Sequence, residues 1–122
     1  MLFHEALAAF VEAFKHSGTD YALTGDLALH VCGYPRARPR LEFVAAPSAR
    51  DVASTLGFRL IRASERVAIY ARDEIRVAII FSDVRGALPG LIDGRVVLVL
   101  DPARRLALAE EMSRCSKKQQ PI

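Results

Sequence analysis

Tyr21 to Ala45, YALTGDLALHVCGYPRARPRLEFVA, is the stretch on which the reading of this chain turns. It opens with a short apolar run, Tyr21 to Leu23, followed by Thr24, Gly25 and Asp26 and then by an Ala/Leu-rich segment, Leu27 to Cys32, that ends at Gly33. An apolar run, a glycine turn and a helix-forming segment closed by glycine predict strand, tight turn and short helix. Pro35 and Pro39 fix φ and remove N–H donors, so the segment between them predicts an extended loop. From Arg40 to Ala45 the residues alternate, with Leu41, Phe43 and Ala45 facing one way and Arg40, Glu42 and Val44 the other. That period predicts a strand with one polar face.

Upstream, Leu2, Phe3, Ala6, Leu7, Phe10, Val11 and Phe14 share one helical stripe, while Glu5, Glu12 and Lys15 lie off it. His16, Ser17 and Gly18 close that helix. Downstream, Pro47 and Ser48 precede a helix over Ala49 to Leu56, with Ser48 as its expected N-cap, Val52, Ala53 and Leu56 as its apolar stripe and Gly57 as its end. Three apolar runs follow, Phe58–Arg62, Val67–Ala71 and Ile75–Phe81, separated by short segments that predict antiparallel hairpins. Val84 to Asp93 contains two glycines and a proline and predicts mostly loop. Val96 to Leu100 is continuously apolar and predicts a buried strand. Asp101 is placed to cap a last helix, with Pro102 at its first position and Leu106, Ala109 and Met112 on its inner face. The order of elements implies an α/β (α+β) fold, a mixed sheet with helices on at least one face.

A chain of 122 residues, 52% hydrophobic and 25% charged, holds enough apolar surface for one core and too little length for two. We therefore expect a single domain over residues 1–115 and a polar tail over 116–122. No apolar run reaches the roughly 20 residues of a membrane helix, and Glu5 and Glu12 interrupt the first apolar stretch, so neither a span nor a signal peptide is expected. Cys32 and Cys115 are too few and too far apart for a disulfide or metal framework, which suggests reduced thiols in a cytoplasmic protein. With 17 Lys+Arg against 14 Asp+Glu the net charge is +3, too small to point to nucleic acid.

On these residues the stretch 21–45 resembles the nucleotidyltransferase superfamily, in particular the small bacterial group that holds the minimal nucleotidyltransferases and the toxin half of the AbiE phage-defence pair. In that group a strand ends in a Gly-Gly turn, a short helix leads to Gly-Tyr-x-Arg-x-Thr, and the next strand carries Asp-x-Asp. Gly25, Leu27, Ala28, Gly33, Tyr34 and Arg36 fall on the pattern. The resemblance implies a nucleotidyltransferase-like mixed sheet whose glycine turn approaches a triphosphate with its N–H groups, while paired carboxylates hold magnesium against it. Carboxylates at i and i+2 share a strand face, a third comes from a later strand, and the metals activate a hydroxyl for attack on the α-phosphate.

This chain departs from the pattern at the acids. Arg40 stands at the first acidic position, Glu42 keeps the second, and Ala78 occupies the expected place of the third on IRVAIIF. Asp26 replaces the second glycine and Arg38 the threonine of the loop. One carboxylate beside a guanidinium does not gather two magnesium ions, so no metal and no cofactor are expected, Mg2+ entering only if the protein is an active enzyme. Asp26 reads as a helix N-cap or a relocated metal ligand; Glu42 reads as an ion-pair partner of Arg40 or Arg38, or as a remaining catalytic acid. The candidate catalytic residues are thus Asp26 and Glu42, and the candidate phosphate-binding residues are Thr24, Gly25, Asp26, Arg36, Arg38 and Arg40. Arg36, Arg38 and Arg40 either hold phosphate or belong to a solvated loop. Arg59, Arg62, Arg66, Arg72 and Arg76 are interspersed with Glu65, Asp73 and Glu74 and read as a mixed surface.

His4, His16 and His30 show no ligand spacing, and Cys32 reads as a small buried residue. No substrate-holding helices are expected past the last helix. Three functions remain in view: a degenerate nucleotidyltransferase-fold protein, a pseudoenzyme that binds or regulates; an active enzyme moving a nucleoside monophosphate to a protein or RNA hydroxyl; and one half of a toxin–antitoxin-type pair, meeting a protein partner or a second copy through an exposed strand or the first helix. A nucleotide is an expected ligand; a membrane is not, nor is nucleic acid, for want of a dense basic face or stacking platform.

Overall fold

The apolar stripe of the first helix supplies the largest block of the core. In the computed structural model, which describes residues 1–25, 41–92, 94–108 and 110, helix α1 (Phe3–Ser17) buries Ala6, Leu7, Phe10, Val11 and Phe14. Gly18 ends it in the left-handed conformation, its N–H reaching the Lys15 and Phe14 carbonyls. Leu2, at the head of the expected stripe, precedes the helix and is 60% exposed. The apolar face of α1 is thus spent inside the molecule.

Strand β1 (Tyr21–Thr24) follows, then β2 (Leu41–Ala45), a 3₁₀ turn (Pro47–Ala49), helix α2 (Arg50–Thr55), β3 (Arg59–Ala63), β4 (Val67–Arg72), β5 (Ile75–Phe81), β6 (Ala87–Ile92) and β7 (Arg95–Leu100). Residues 102–108 are helical. The seven strands form one sheet in the order β3-β4-β5-β2-β1-β7-β6. Pairing is antiparallel except for β2 with β5 and β1 with β7, so the sheet is mixed. This is the α+β architecture expected from the sequence. The predicted helix 27–32, the loop 35–39 and the tail 116–122 lie outside the described residues.

One face of the sheet packs on α1 and α2. Phe43 of β2 stacks with Phe10 at 5.6 Å between centroids and meets Phe14 edge-on at 5.2 Å, while Phe58 meets Phe10 edge-on at 5.0 Å. Leu41, Phe43 and Ala45 join this cluster, as the alternation of β2 predicts. On the other face a smaller cluster of Ala22, Val44, Leu100 and Leu108 forms, with Ile80, Val84 and Ala87 packed against it. Val44 is thus buried rather than part of a polar face: the helix that follows β7 covers that end of the sheet.

Four further local expectations are corrected. Residues 87–92 form strand β6 where a loop was read. Pro89 is tolerated because β6 is an edge strand, where a missing N–H breaks no second ladder. β7 is not buried throughout: Val97 and Val99 are at 0% and 2% exposure and Leu100 packs on the other face, whereas Val96 is at 57%. Ser48 is not a cap; its hydroxyl lies 3.2 Å from that of the buried Thr19, which is 2.8 Å from Ser17 Oγ, and α2 has no side-chain cap. Asp101 does cap the last helix, accepting from the Ala103 N–H at 2.8 Å. Its inner face, however, carries Leu108, whereas Leu106 is 63% exposed; Met112 and the side chain of Ala109 lie outside the described residues.

Tyr70 of β4 is nearly buried and donates to the Arg50 carbonyl at 3.4 Å. Burial disfavours its phenolate and raises its pKa from the ordinary value of 10.0, with Arg50 lowering and Asp51 raising it by lesser amounts. A raised folded-state pKa leaves stability intact below pH 10.0 and removes it as pH climbs above that value. Tyr70→Phe is therefore expected to flatten the alkaline fall of the denaturant midpoint relative to the wild type, a change read by unfolding at neutral pH and above pH 10.0; identical alkaline slopes would contradict the burial argument.

Candidate functional site

The geometry of the glycine turn follows from strand pairing. Thr24 is the last residue of β1, Glu42 is its antiparallel partner on β2, and Glu42 is in turn the parallel partner of Ala78 on β5. Ala78 pairs with Ile69 and Ile69 with Arg62. Paired residues point to the same side of a sheet, so this row lies on the face opposite the Phe10–Phe43 cluster. Glu42 is half-buried there and Thr24 is buried.

Gly25 follows Thr24 with φ +79° and is buried. A Cβ placed on it would stand 2.8 Å from Glu42 Cδ and closer still to Oε2, so the Glu42 carboxyl rests directly against the Gly25 backbone. Two requirements thus demand glycine here, the left-handed backbone and the close approach of a side chain. The sequence reading assigned Gly25 to the approach of a phosphate; the structure adds the approach of Glu42, which joins the turn and the acid into one corner.

Of the residues singled out from the sequence, Thr24, Gly25 and Glu42 come together. Asp26, Arg36, Arg38 and Arg40 lie outside the described residues, as do His30 and Cys32. Ala78 stands beside Glu42 in register, at the place where a third carboxylate was sought. Asp83 is exposed in the segment after β5, within 3.4 Å of Arg85. Glu74 lies in the β4–β5 turn. Among the described residues no three of His, Cys, Asp and Glu gather as a metal-holding group. The described strands supply the corner with one carboxylate, one hydroxyl and one methyl, a donor set that does not fit a two-magnesium centre.

A separate groove of about 400 Å³ lies at the other end of β1, lined by Lys15, Thr19, Asp20, Tyr21, Val84 and Leu98 among others. The Tyr21 hydroxyl crosses its floor to accept from the Leu98 N–H at 3.4 Å. It shares no residue with the Gly25 corner.

With the geometry in place, comparison with known proteins is informative on fold. No family model matches the chain, and no curated protein matches it either. Solved structures do. The solution structure of the antibiotic-resistance factor ANT(2'')-Ia aligns with a TM-score of 0.70 at 13% identity, over 94% of this chain and 74% of that one. The crystal structure of ANT(2'')-Ia with adenylyl-2''-tobramycin aligns at 0.65 and 14% identity, over 80% and 68%. The lincosamide antibiotic adenylyltransferase LnuA, lincomycin-bound, aligns at 0.67 and 10% identity, over 84% and 83%. A Thermotoga maritima protein classed as a nucleotidyltransferase aligns at 0.63 and 13% identity, over 96% and 88%. The chain has the nucleotidyltransferase fold.

Because Gly25 is required twice over, Gly25→Ala should destabilise by the left-handed backbone cost of about 1–2 kcal/mol plus the clash with Glu42. In a double-mutant cycle with Glu42→Ala the clash with the carboxyl group disappears while the backbone cost and the contact with the residue-42 Cβ stay, giving a coupling energy of about 0.5–3 kcal/mol. Additive effects in denaturant unfolding would mean that the two groups do not touch.

Proposed function

We propose that this protein binds a nucleotide or its phosphates at the Gly25–Glu42 corner and has lost metal-dependent nucleotidyl transfer, acting as a binding or regulatory protein of the bacterial cytoplasm, a pseudoenzyme related to the minimal nucleotidyltransferases and the AbiE toxin. The observation that carries the reading is the register of Glu42 with Ala78. It leaves the corner one strand carboxylate, and the sequence places Arg40, a cation, at the i−2 position of that carboxylate. A guanidinium repels magnesium and attracts phosphate, so the charge pattern suits the ligand's phosphates better than its metals. Gly25, with the backbone freedom to bring N–H groups close, and Arg36 and Arg38, with planar donors, are the proposed phosphate-holding groups.

A second reading is supported by the contact of Glu42 with Gly25 and by the adenylylated antibiotic in one structural neighbour. In it Asp26 and Glu42 serve as a rearranged acid pair, magnesium is bound, and a nucleoside monophosphate passes to a protein or RNA hydroxyl. A third reading, one half of a toxin–antitoxin-type pair, is supported by edge strand β3, all five of whose residues are exposed, Leu60 and Ile61 among them.

Isothermal titration with each nucleoside triphosphate, with and without magnesium, separates the first two. The proposal expects the same affinity in both conditions. Magnesium-dependent uptake that disappears in Glu42→Gln, together with label transfer to a partner, would establish the enzyme instead.

A further inference from the structure

Strand register sorts charges that the sequence interleaves. Arg59 pairs with Ala71 and Ala71 with Arg76; Arg62 pairs with Ile69, Ile69 with Ala78 and Ala78 with Glu42. Arg59, Arg62 and Arg76 therefore stand on Glu42's face of the sheet. The acids that separate them in the chain do not: Glu65 lies in the β3–β4 turn, and Asp73 and Glu74 make the β4–β5 turn. Arg72 also leaves the set, its guanidinium donating to the Leu56 carbonyl at 2.8 Å. All three face arginines are exposed, and no described carboxylate forms an ion pair with any of them.

The size of this strip selects its ligand. From β3 to β2 is three strand spacings, about 14 Å, so a single nucleotide seated at Gly25 does not neutralise Arg59 and Arg62 as well. A polymer does, since a nucleic-acid duplex carries a charge about every 1.7 Å of its axis, and guanidinium forks match phosphate oxygens in pairs. The rings of β2, β4 and β5, namely Phe43, Tyr70 and Phe81, belong to the core on the opposite face. Among the described residues this part of the sheet presents no aromatic ring to unpaired bases, which favours contact with a phosphodiester backbone over single-strand readout.

We propose that Arg59, Arg62 and Arg76 form a backbone-binding strip for a double-stranded nucleic acid, running across the sheet toward the Gly25–Glu42 corner. The strip goes beyond the nucleotide reading and does not depend on it, because none of its three arginines belongs to that corner.

The test is fluorescence anisotropy of a short labelled duplex, RNA in one arm and DNA in the other, titrated with the full chain over a series of salt concentrations. The wild type is expected to bind with a linear fall of log K against log salt, and each of Arg59→Ala, Arg62→Ala and Arg76→Ala to lower that slope by about 0.9. Being exposed, these substitutions should leave the unfolding temperature unchanged. Similar affinity for both duplexes supports readout of the shared backbone, and a preference carried by the same three arginines identifies which duplex is the ligand. A triple variant that binds as tightly as the wild type with the same salt slope overturns the proposal, as does polyglutamate displacing the duplex equally well at matched charge. Loss of nucleotide binding in the corner variants alone would leave the strip standing.

Discussion

Burial of Phe43 is the constraint from which the rest of this molecule follows. Its ring lies among those of Phe10, Phe14 and Tyr21, which fixes β2 against the first helix and leaves only one way for that strand to face. A side-chain period of two then puts Glu42 on the opposite face, and a slip of one residue would send the charge into the aromatic cluster. Pairing of β2 with β1 on one side and β5 on the other delivers Glu42 to Gly25 and Ala78 at once. The corner is thus a consequence of core packing two strands wide.

Where the local pattern had one physical meaning, the sequence was enough. The stripe of the first helix, the alternation of β2, the two hairpins and the Asp101 cap each depend on neighbours in the chain. Errors arose where tertiary context decided. The run Val96 to Leu100 is apolar throughout, yet Val96 and Leu98 are exposed while Val97, Val99 and Leu100 are buried, and nothing in its composition distinguishes them. Pro89 and Gly90 argue for a loop unless the strand is known to lie at the edge, which only the sheet order reveals. Ser48 has the composition of a cap, but the buried Thr19 hydroxyl, distant in sequence, claims it.

The candidate site divides along the same line. Thr24, Gly25 and Glu42 were singled out because residues 21–45 resemble the nucleotidyltransferase pattern, and the pairing of β1 with β2 brings them side by side. That the acid rests on the glycine, and that both stand in a row with Ala78, depends on pairing between strands far apart in the chain. Arg59, Arg62 and Arg76 looked like part of a mixed surface because Glu65, Asp73 and Glu74 lie between them; folding moves those acids to the turns and leaves the arginines on the face. Among the described strand residues, the sheet therefore has one side that holds the rings and another on which Arg59, Arg62 and Arg76 stand beside the Glu42 carboxylate.

On the proposed reading, that asymmetry draws phosphate to the corner and repels divalent cations. Crystals grown with manganese and a non-hydrolysable nucleoside triphosphate test this most sharply, since manganese is located by its anomalous scattering independently of the nucleotide. The account predicts phosphate density against the Gly25 turn and no manganese peak within about 2.5 Å of the Glu42 carboxylate. A pair of manganese ions about 3.5–4 Å apart, bridged by Glu42 and the triphosphate, would contradict it and restore the chain to the active enzymes.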